Sequence, residues 1–268
     1  IRQSDVTGII VQRQLLGKDM VDRLTDALPE LKTCDDPELR IAKTPFLRWI
    51  SSSGDSLPPS IRDISWVEAG ADSVSDELLN EVESEISTTD QLMEIYTSGS
   101  MALPKGVKHN HGPVVYRAHY LRKMTPAAVR GAELFAMLPM FWVGGMMMYL
   151  LPNLEVGATT VCGDNLLHNS RFAMGSVLAE DDLEAMRSPD MATIWGLGMT
   201  ETAGPYTYGD ELRAPGYPLC APMDHIADRY EVRVADDNDD EVPEGETGEI
   251  QVRGYALSPG LHKVERDK

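Results

Sequence analysis

Short β-rich runs alternate with stretches of helical spacing through the first two thirds of the chain, and this alternation restricts the fold more than any other feature. Residues 5–12, DVTGIIVQ, read as a strand, and LLGKDMVDRLTDALPEL behind them as a helix with Pro29 near its end. Leu92–Tyr96, Glu133–Pro139 and Ala158–Cys162 read as further strands. Helical stretches fall at Val114–Leu121, at VGGMMMYLLPNL and at Leu178–Met186, whose first turn carries Glu180, Asp181 and Asp182. Thr33–Ser60 reads as irregular and Ile64–Val67 as a short strand. Ala71–Asp90 holds seven acidic residues and no Lys or Arg, the pattern of a solvated helix. From Tyr230 the character changes: YEVRVA and EIQVRG alternate on either side of the acidic turn DDNDDEVPEGETG, as in a hairpin. The expected fold is α/β, a mostly parallel sheet with flanking helices over 1–220, followed by a smaller β-rich section over 221–268.

With 268 residues and 42% hydrophobic side chains the chain can build real cores. Its 43 acidic against 24 basic residues leave a net charge of −19, a field of the wrong sign for nucleic acid or an anionic membrane surface. A single anion can still be gripped locally by backbone N–H groups and one Lys. Cys34, Cys162 and Cys220 are odd in number and widely spaced, so neither a disulfide framework nor a CxxC metal pair follows, and a reducing, cytoplasmic location is expected. The longest apolar run, Met137–Leu151, contains Gly144 and Gly145 and falls short of a spanning helix, so no transmembrane segment is expected.

The strongest chemical signal is YTSGSMALPKGVKH, Tyr96 to His109. Small residues after a strand let successive N–H groups point at one oxyanion. Ser98 and Ser100 add hydroxyl donors, Pro104 stiffens the approach, and Lys105 brings a compact charge suited to a polyphosphate. The Walker A pattern GxxxxGK[ST] is absent. Composition alone leaves an ordinary surface turn equally open. His109 and His111 lack a third metal ligand nearby and read as loop support and helix start.

TSGSMALPKG resembles the phosphate-binding signature of the adenylate-forming superfamily, and three further segments resemble its motifs in the family's order. These are FWVGGMMMYLLPNLEVGATTV, similar to the acyl-pocket helix and its following strand; GLGMTETAGP, similar to [YF]GxTE; and GETGEIQVRGYALSPGLHK, similar to GExGEIxxRG. The style is closest to fatty or medium-chain acyl-CoA synthetases. The resemblance implies that ATP and a carboxylic acid give an acyl-adenylate, from which CoA takes the acyl group as a thioester. It implies that Thr97, Ser98, Gly99, Ser100, Met101 and Lys105 meet the phosphates, with Gly106 closing the loop. Thr200 corresponds to the hydroxyl on the α-phosphate and Glu201 to the Mg2+ carboxylate. Leu197, Gly198 and Met199 fall beside the adenine, with Gly175, Ser176 and Val177 on its other side. Trp142, Val143 and Gly144 resemble the acyl-pocket wall, and Met146–Met148 read equally as that wall or as core. Lys105, Thr200 and Glu201 are the candidate catalytic residues.

Departures weigh against this activity. The family's usual Thr is Met101, which has no hydroxyl to donate; the next Gly is Ala102; the aromatic that stacks on adenine is Leu197. Against the family pattern, the β-rich start and the C-terminal domain with the catalytic Lys are also expected to be missing. From Val161 to Gly175 there are only 14 positions where relatives carry a longer stretch, so exposed apolar surface and self-association are expected. Two alternatives stay open: an impaired or non-catalytic relative that acts as a binding module, and an adenylation domain that loads a carrier protein.

Overall fold

A computed structural model describes residues 1, 3–15, 17–97, 104–123, 128–136, 138–162, 196–208 and 225–264. The chain divides into two compact units, Ile1–Ile86 and Ser87–Lys268.

The first unit begins with β1 (Gly8–Gln12), the small hairpin β2 (Gln14–Leu15) and β3 (Lys18–Asp19), and α1 (Met20–Ala27). Asp19 caps α1 by accepting from Asp22 N at 2.9 Å, and its carboxylate also meets Arg13 Nε at 2.8 Å. Leu28 ends the helix and Pro29 opens a 3-10 turn, as the Pro signal predicts. Next come β4 (Trp49–Ser53), β5 (Arg62–Asp63), α2 (Ser65–Ala71) and α3 (Asp76–Ser84). β4 lies between β1 and β5 and runs parallel to both. Val21, Leu28, Leu31, Leu39, Ile41, Leu47, Ile50 and Ile61 form this unit's core.

Two expectations fail here. The stretch read as irregular holds the central strand β4, whose Ser51 and Ser52 are buried. Ile64–Val67 enters helix α2 because Asp63 accepts from the Ser65 backbone at 2.9 Å and from its hydroxyl at 2.6 Å, which turns the chain into a helix. The acidic stretch forms α3 as expected, capped by Ser75 and with no buried residue.

The second unit opens on a hairpin, β6 (Gln91–Thr97) antiparallel to β7 (Lys105–Asn110), which runs directly into α4 (His111–Lys123). β8 (Glu133–Ala136) and β9 (Thr159–Cys162) pair in parallel, joined by a continuous helix: α5 (Val143–Gly145), a π turn (Met146–Leu150) and α6 (Leu151–Val156). The π turn precedes Pro152, which has no N–H for a regular helical bond. Gly157, with φ 71°, stops the helix. Asn153 Nδ2 donates to Thr160 Oγ1 at 2.9 Å and ties α6 to β9.

The remaining strands are short antiparallel pairs: β10 (Gly198–Met199) with β11 (Gly204–Pro205), β12 (Thr207–Tyr208) with β13 (His225–Ile226), and the longer β14 (Tyr230–Ala235) with β15 (Glu249–Gly254). The β14–β15 hairpin matches the alternation in the sequence. The fold is α/β with parallel and antiparallel pairing, more mixed than the mostly parallel sheet expected. Among the described residues no helix is long and apolar enough to cross a membrane.

Candidate functional site

Thr97 ends β6 and stands opposite Lys105, the first residue of β7, so cross-strand pairing pins the two ends of the candidate phosphate loop. Ser98, Gly99, Ser100, Met101 and Ala102 lie outside the described residues. Lys105 is exposed and Gly106 is buried beneath it. A Cβ on Gly106 would stand 2.2 Å from Glu94 Oε1, so the glycine makes room for that carboxylate. Glu94 Oε2 is 3.1 Å from His262 Nδ1, and both side chains are largely buried. The C-terminal segment lines the outer edge of β7: Lys108 N donates to Gly260 O at 3.2 Å, His262 N donates to Gly106 O at 2.7 Å, and Val107 bridges Leu261.

Thr200, Glu201 and Thr202 form a 3-10 turn between β10 and β11. Thr202 is buried; its hydroxyl accepts from Met199 N at 3.0 Å and donates to Gly204 O at 2.7 Å. Ala203 (φ 50°) and Gly204 (φ 104°) reverse the chain through the left-handed region. The Tyr230 hydroxyl donates to Thr202 O, and burial pushes its pKa up to about 12, so it stays a donor. Ser258 N donates to Glu201 O at 2.7 Å. Thr200 and Glu201 are half-buried on this braced turn, while Leu197, Gly198 and Met199 before it are exposed.

The hairpin and the turn meet at His109. This residue lies on β7 and is 1% exposed. Burial pulls its pKa down, while the Thr200 backbone and the Glu201 carboxylate nearby favour the charged ring. Its Nε2 is buried, with no hydrogen-bond partner among the described residues. His109 is four residue steps along the strand from Lys105, about 13 Å at 3.3 Å per residue. Segment 258–262 bonds to both elements, through Ser258 to the turn and through Gly260 and His262 to the hairpin. Lys105, Thr200 and Glu201 therefore lie on neighbouring, cross-linked elements. His111 opens α4, where its N donates to Asp90 O at 3.0 Å.

Trp142 stands at the N-cap of α5 with its ring 5.9 Å from that of Phe141. Val143 packs against the second unit's core and Gly144 is half-buried. Met147 is fully buried core and Met148 packs against it. Gly175, Ser176 and Val177, the helix expected at Leu178–Met186, Cys220 and the shortened stretch after Cys162 lie outside the described residues. A cleft of about 470 Å³ runs along β14–β15, lined by Glu231, Arg233, Glu241, Gln251 and Arg253 among others; no candidate residue lines it.

Sequence reasoning missed Arg117 on α4. Val114, Arg117, Ala118 and Leu121 are its buried residues, at positions i, i+3, i+4 and i+7. A charge inside that stripe is the signal that was available. Glu94, Tyr230 and Ser258 were missed as well, because their roles arise only from pairing between distant segments.

The AMP-binding enzyme family matches residues 1–181. The chain belongs to this family. The match stops before the Thr200 turn, but the structural likeness continues through it. The structure of the anthranilate CoA ligase AuaEII in complex with anthranoyl-AMP superposes with a TM-score of 0.68 at 16% identity, covering 98% of this chain and 54% of that one. A candidate long-chain-fatty-acid CoA ligase from Rhodopseudomonas palustris CGA009 gives 0.67 at 17% identity, covering 98% and 67%. YngI of Bacillus subtilis (strain 168), named as a candidate acyl-CoA synthetase, is 24% identical over 161 residues, 60% of this chain and 29% of its own length. The chain thus spans about half of the first of these structures and under a third of the curated relative. These likenesses establish the fold of an AMP-binding enzyme for the chain.

Such a fold implies Mg2+ alongside nucleotide. Among the described residues no group of three or more His, Cys, Asp or Glu side chains forms a metal cage. Glu201 is a single half-buried carboxylate whose backbone is fixed by Ser258. Mg2+ is commonly held by one or two carboxylates together with phosphate oxygens and water, so this lone carboxylate fits the ion only with a nucleotide present.

Proposed function

We propose that the full-length protein activates a carboxylic acid, in the first instance a fatty acid, with ATP and passes it to CoA. In the first step a carboxylate oxygen attacks the α-phosphorus, the bond to the bridging oxygen breaks, and pyrophosphate leaves. In the second the CoA thiol loses its proton and its sulfur attacks the acyl carbon, the bond to the adenylate oxygen breaks, and AMP leaves. The observation that carries this reading is the cross-linking of the Lys105 hairpin to the Thr200–Glu201 turn by segment 258–262, with the buried His109 of β7 beside that turn. Lys105 would neutralise the polyphosphate, the Thr200 hydroxyl would orient the α-phosphate, and Leu197, Gly198 and Met199 would flank the base. Thr97, Ser98, Gly99, Ser100 and Met101 would offer donors around the phosphates, and Gly175, Ser176 and Val177 would close over the base. Trp142, Val143 and Gly144 would line the acyl chain. Glu201 would hold Mg2+, which supplies charge neutralisation at the phosphate oxygens. The test is pyrophosphate release by the full-length protein given ATP, Mg2+ and a panel of fatty and aryl acids. Release with a fatty acid is expected; no release with any acid overturns the reading.

A second reading is a binding module that holds AMP without turnover. It is favoured by Leu197, whose aliphatic side chain is exposed where the family carries a stacking aromatic. Saturable AMP binding by calorimetry without pyrophosphate release is its expected signature. The odd number and wide spacing of the cysteines favour a reducing, cytoplasmic setting for either reading.

A further inference from the structure

Arg117 interrupts the apolar stripe of α4. Val114, Ala118 and Leu121 flank it, and it has no exposed surface. Buried guanidinium groups are ordinarily matched by a carboxylate; among the described residues none pairs with it. Its charge faces aromatic rings instead. The guanidinium carbon is 5.1 Å from the Tyr120 ring centroid and 5.1 Å from that of Tyr230, both cation–π distances. Nη2 donates to the Pro205 carbonyl. Tyr230, held in this way, donates its hydroxyl to the Thr202 carbonyl. The two contacts reach the last residue of the Thr200–Thr202 turn and the strand that closes it. An apolar side chain of similar length would fill the same volume without the cost of burying a charge. What it would not supply is a donor to Pro205 or a cation against the Tyr230 ring.

We propose that Arg117 is a positioning residue, which holds the Thr200–Glu201 turn from behind in the conformation that meets a nucleotide. The nucleotide part of this proposal rests on the functional reading above; the bracing of the turn does not. α4 follows β7 without a break, so the same continuous segment carries Lys105 at its start and this clamp midway along α4.

The experiment compares wild type, Arg117→Met, Arg117→Lys and Tyr230→Phe in the full-length protein. It has three readouts: AMP affinity by calorimetry, thermal midpoint, and hydrogen exchange of the Ala203 and Tyr206 amides, which bond to Thr200 O and Leu197 O. Arg117→Met is expected to keep or raise the thermal midpoint, to speed exchange at both amides, and to weaken AMP binding roughly tenfold, the equivalent of about 1.4 kcal/mol. Arg117→Lys keeps the charge but loses the planar fork and is expected to recover only part of the affinity. Tyr230→Phe is expected to speed exchange at Ala203 and to weaken AMP by a smaller factor. Should Arg117→Met fail to fold, Tyr230→Phe decides. Unchanged exchange and affinity in the folded variants overturns the proposal, as does exchange that rises only in step with global destabilisation. If wild type binds no AMP, the functional reading fails, and exchange at the two amides still decides whether Arg117 braces the turn.

Discussion

At the scale of single residues, the base of the β6–β7 hairpin, which carries the candidate phosphate loop, depends on a missing side chain. Gly106 leaves the space that Glu94 occupies on its way to His262. Gly106→Ala is expected to push Glu94 off His262 and to destabilise the protein by about 1–2 kcal/mol, within the range for overpacking. Chemical denaturation checks this, and an unchanged midpoint would show that Glu94 yields at no cost. Lys105 and the Thr200–Glu201 pair stand out in the sequence because their neighbours form recognisable short patterns, and their roles belong to the proposed function. Arg117 was not, since an arginine in a helix reads as a solvated charge until the buried stripe around it is known. His109 reads as loop support in the sequence, but its contact with Thr200, more than ninety positions away, exists only in three dimensions.

At the scale of elements, strands were legible where side chains alternate and illegible where pairing alone makes them. β14 and β15 show both faces in their spelling. β4 does not, because two buried serines take core positions in the first unit. β7, KGVKHN, is largely polar and owes its extension to β6 on one side and residues 260–262 on the other. Helix α1 offers a test of pH dependence. Asp19 has its pKa lowered, first by the Asp22 backbone N–H and then by Arg13. A carboxyl depressed in the folded state stabilises above its unfolded pKa of about 3.9, and that contribution fades as pH falls through the folded value. Asp19→Asn is therefore expected to flatten the acid side of the stability profile below about pH 4, followed by helical circular dichroism in denaturant. A profile parallel to wild type would remove Asp19 from the account.

At the scale of the whole molecule, apolar surface and charge oppose each other. Phe135 and Val161 on the β8–β9 pair, with Phe141 just before the connecting helix and Leu154 within it, are exposed, although parallel strands ordinarily have both faces covered. The net charge of −19 keeps copies apart. Self-association of this 268-residue chain is expected to grow with salt, as screening weakens like-charge repulsion. Sedimentation velocity across salt concentrations checks it, and a single monomeric species throughout counts against it.

The hairpin also fixes an order of events during synthesis. β6, β7 and α4 are adjacent in sequence and pair through local contacts, the kind that form fastest. Thr200 lies 95 residues after Lys105, which at about 5–20 residues per second emerges roughly 5–20 s later. The hairpin can thus form on the nascent chain well before the turn arrives, and until then the side of His109 that the turn will cover stays open to solvent and to chaperones.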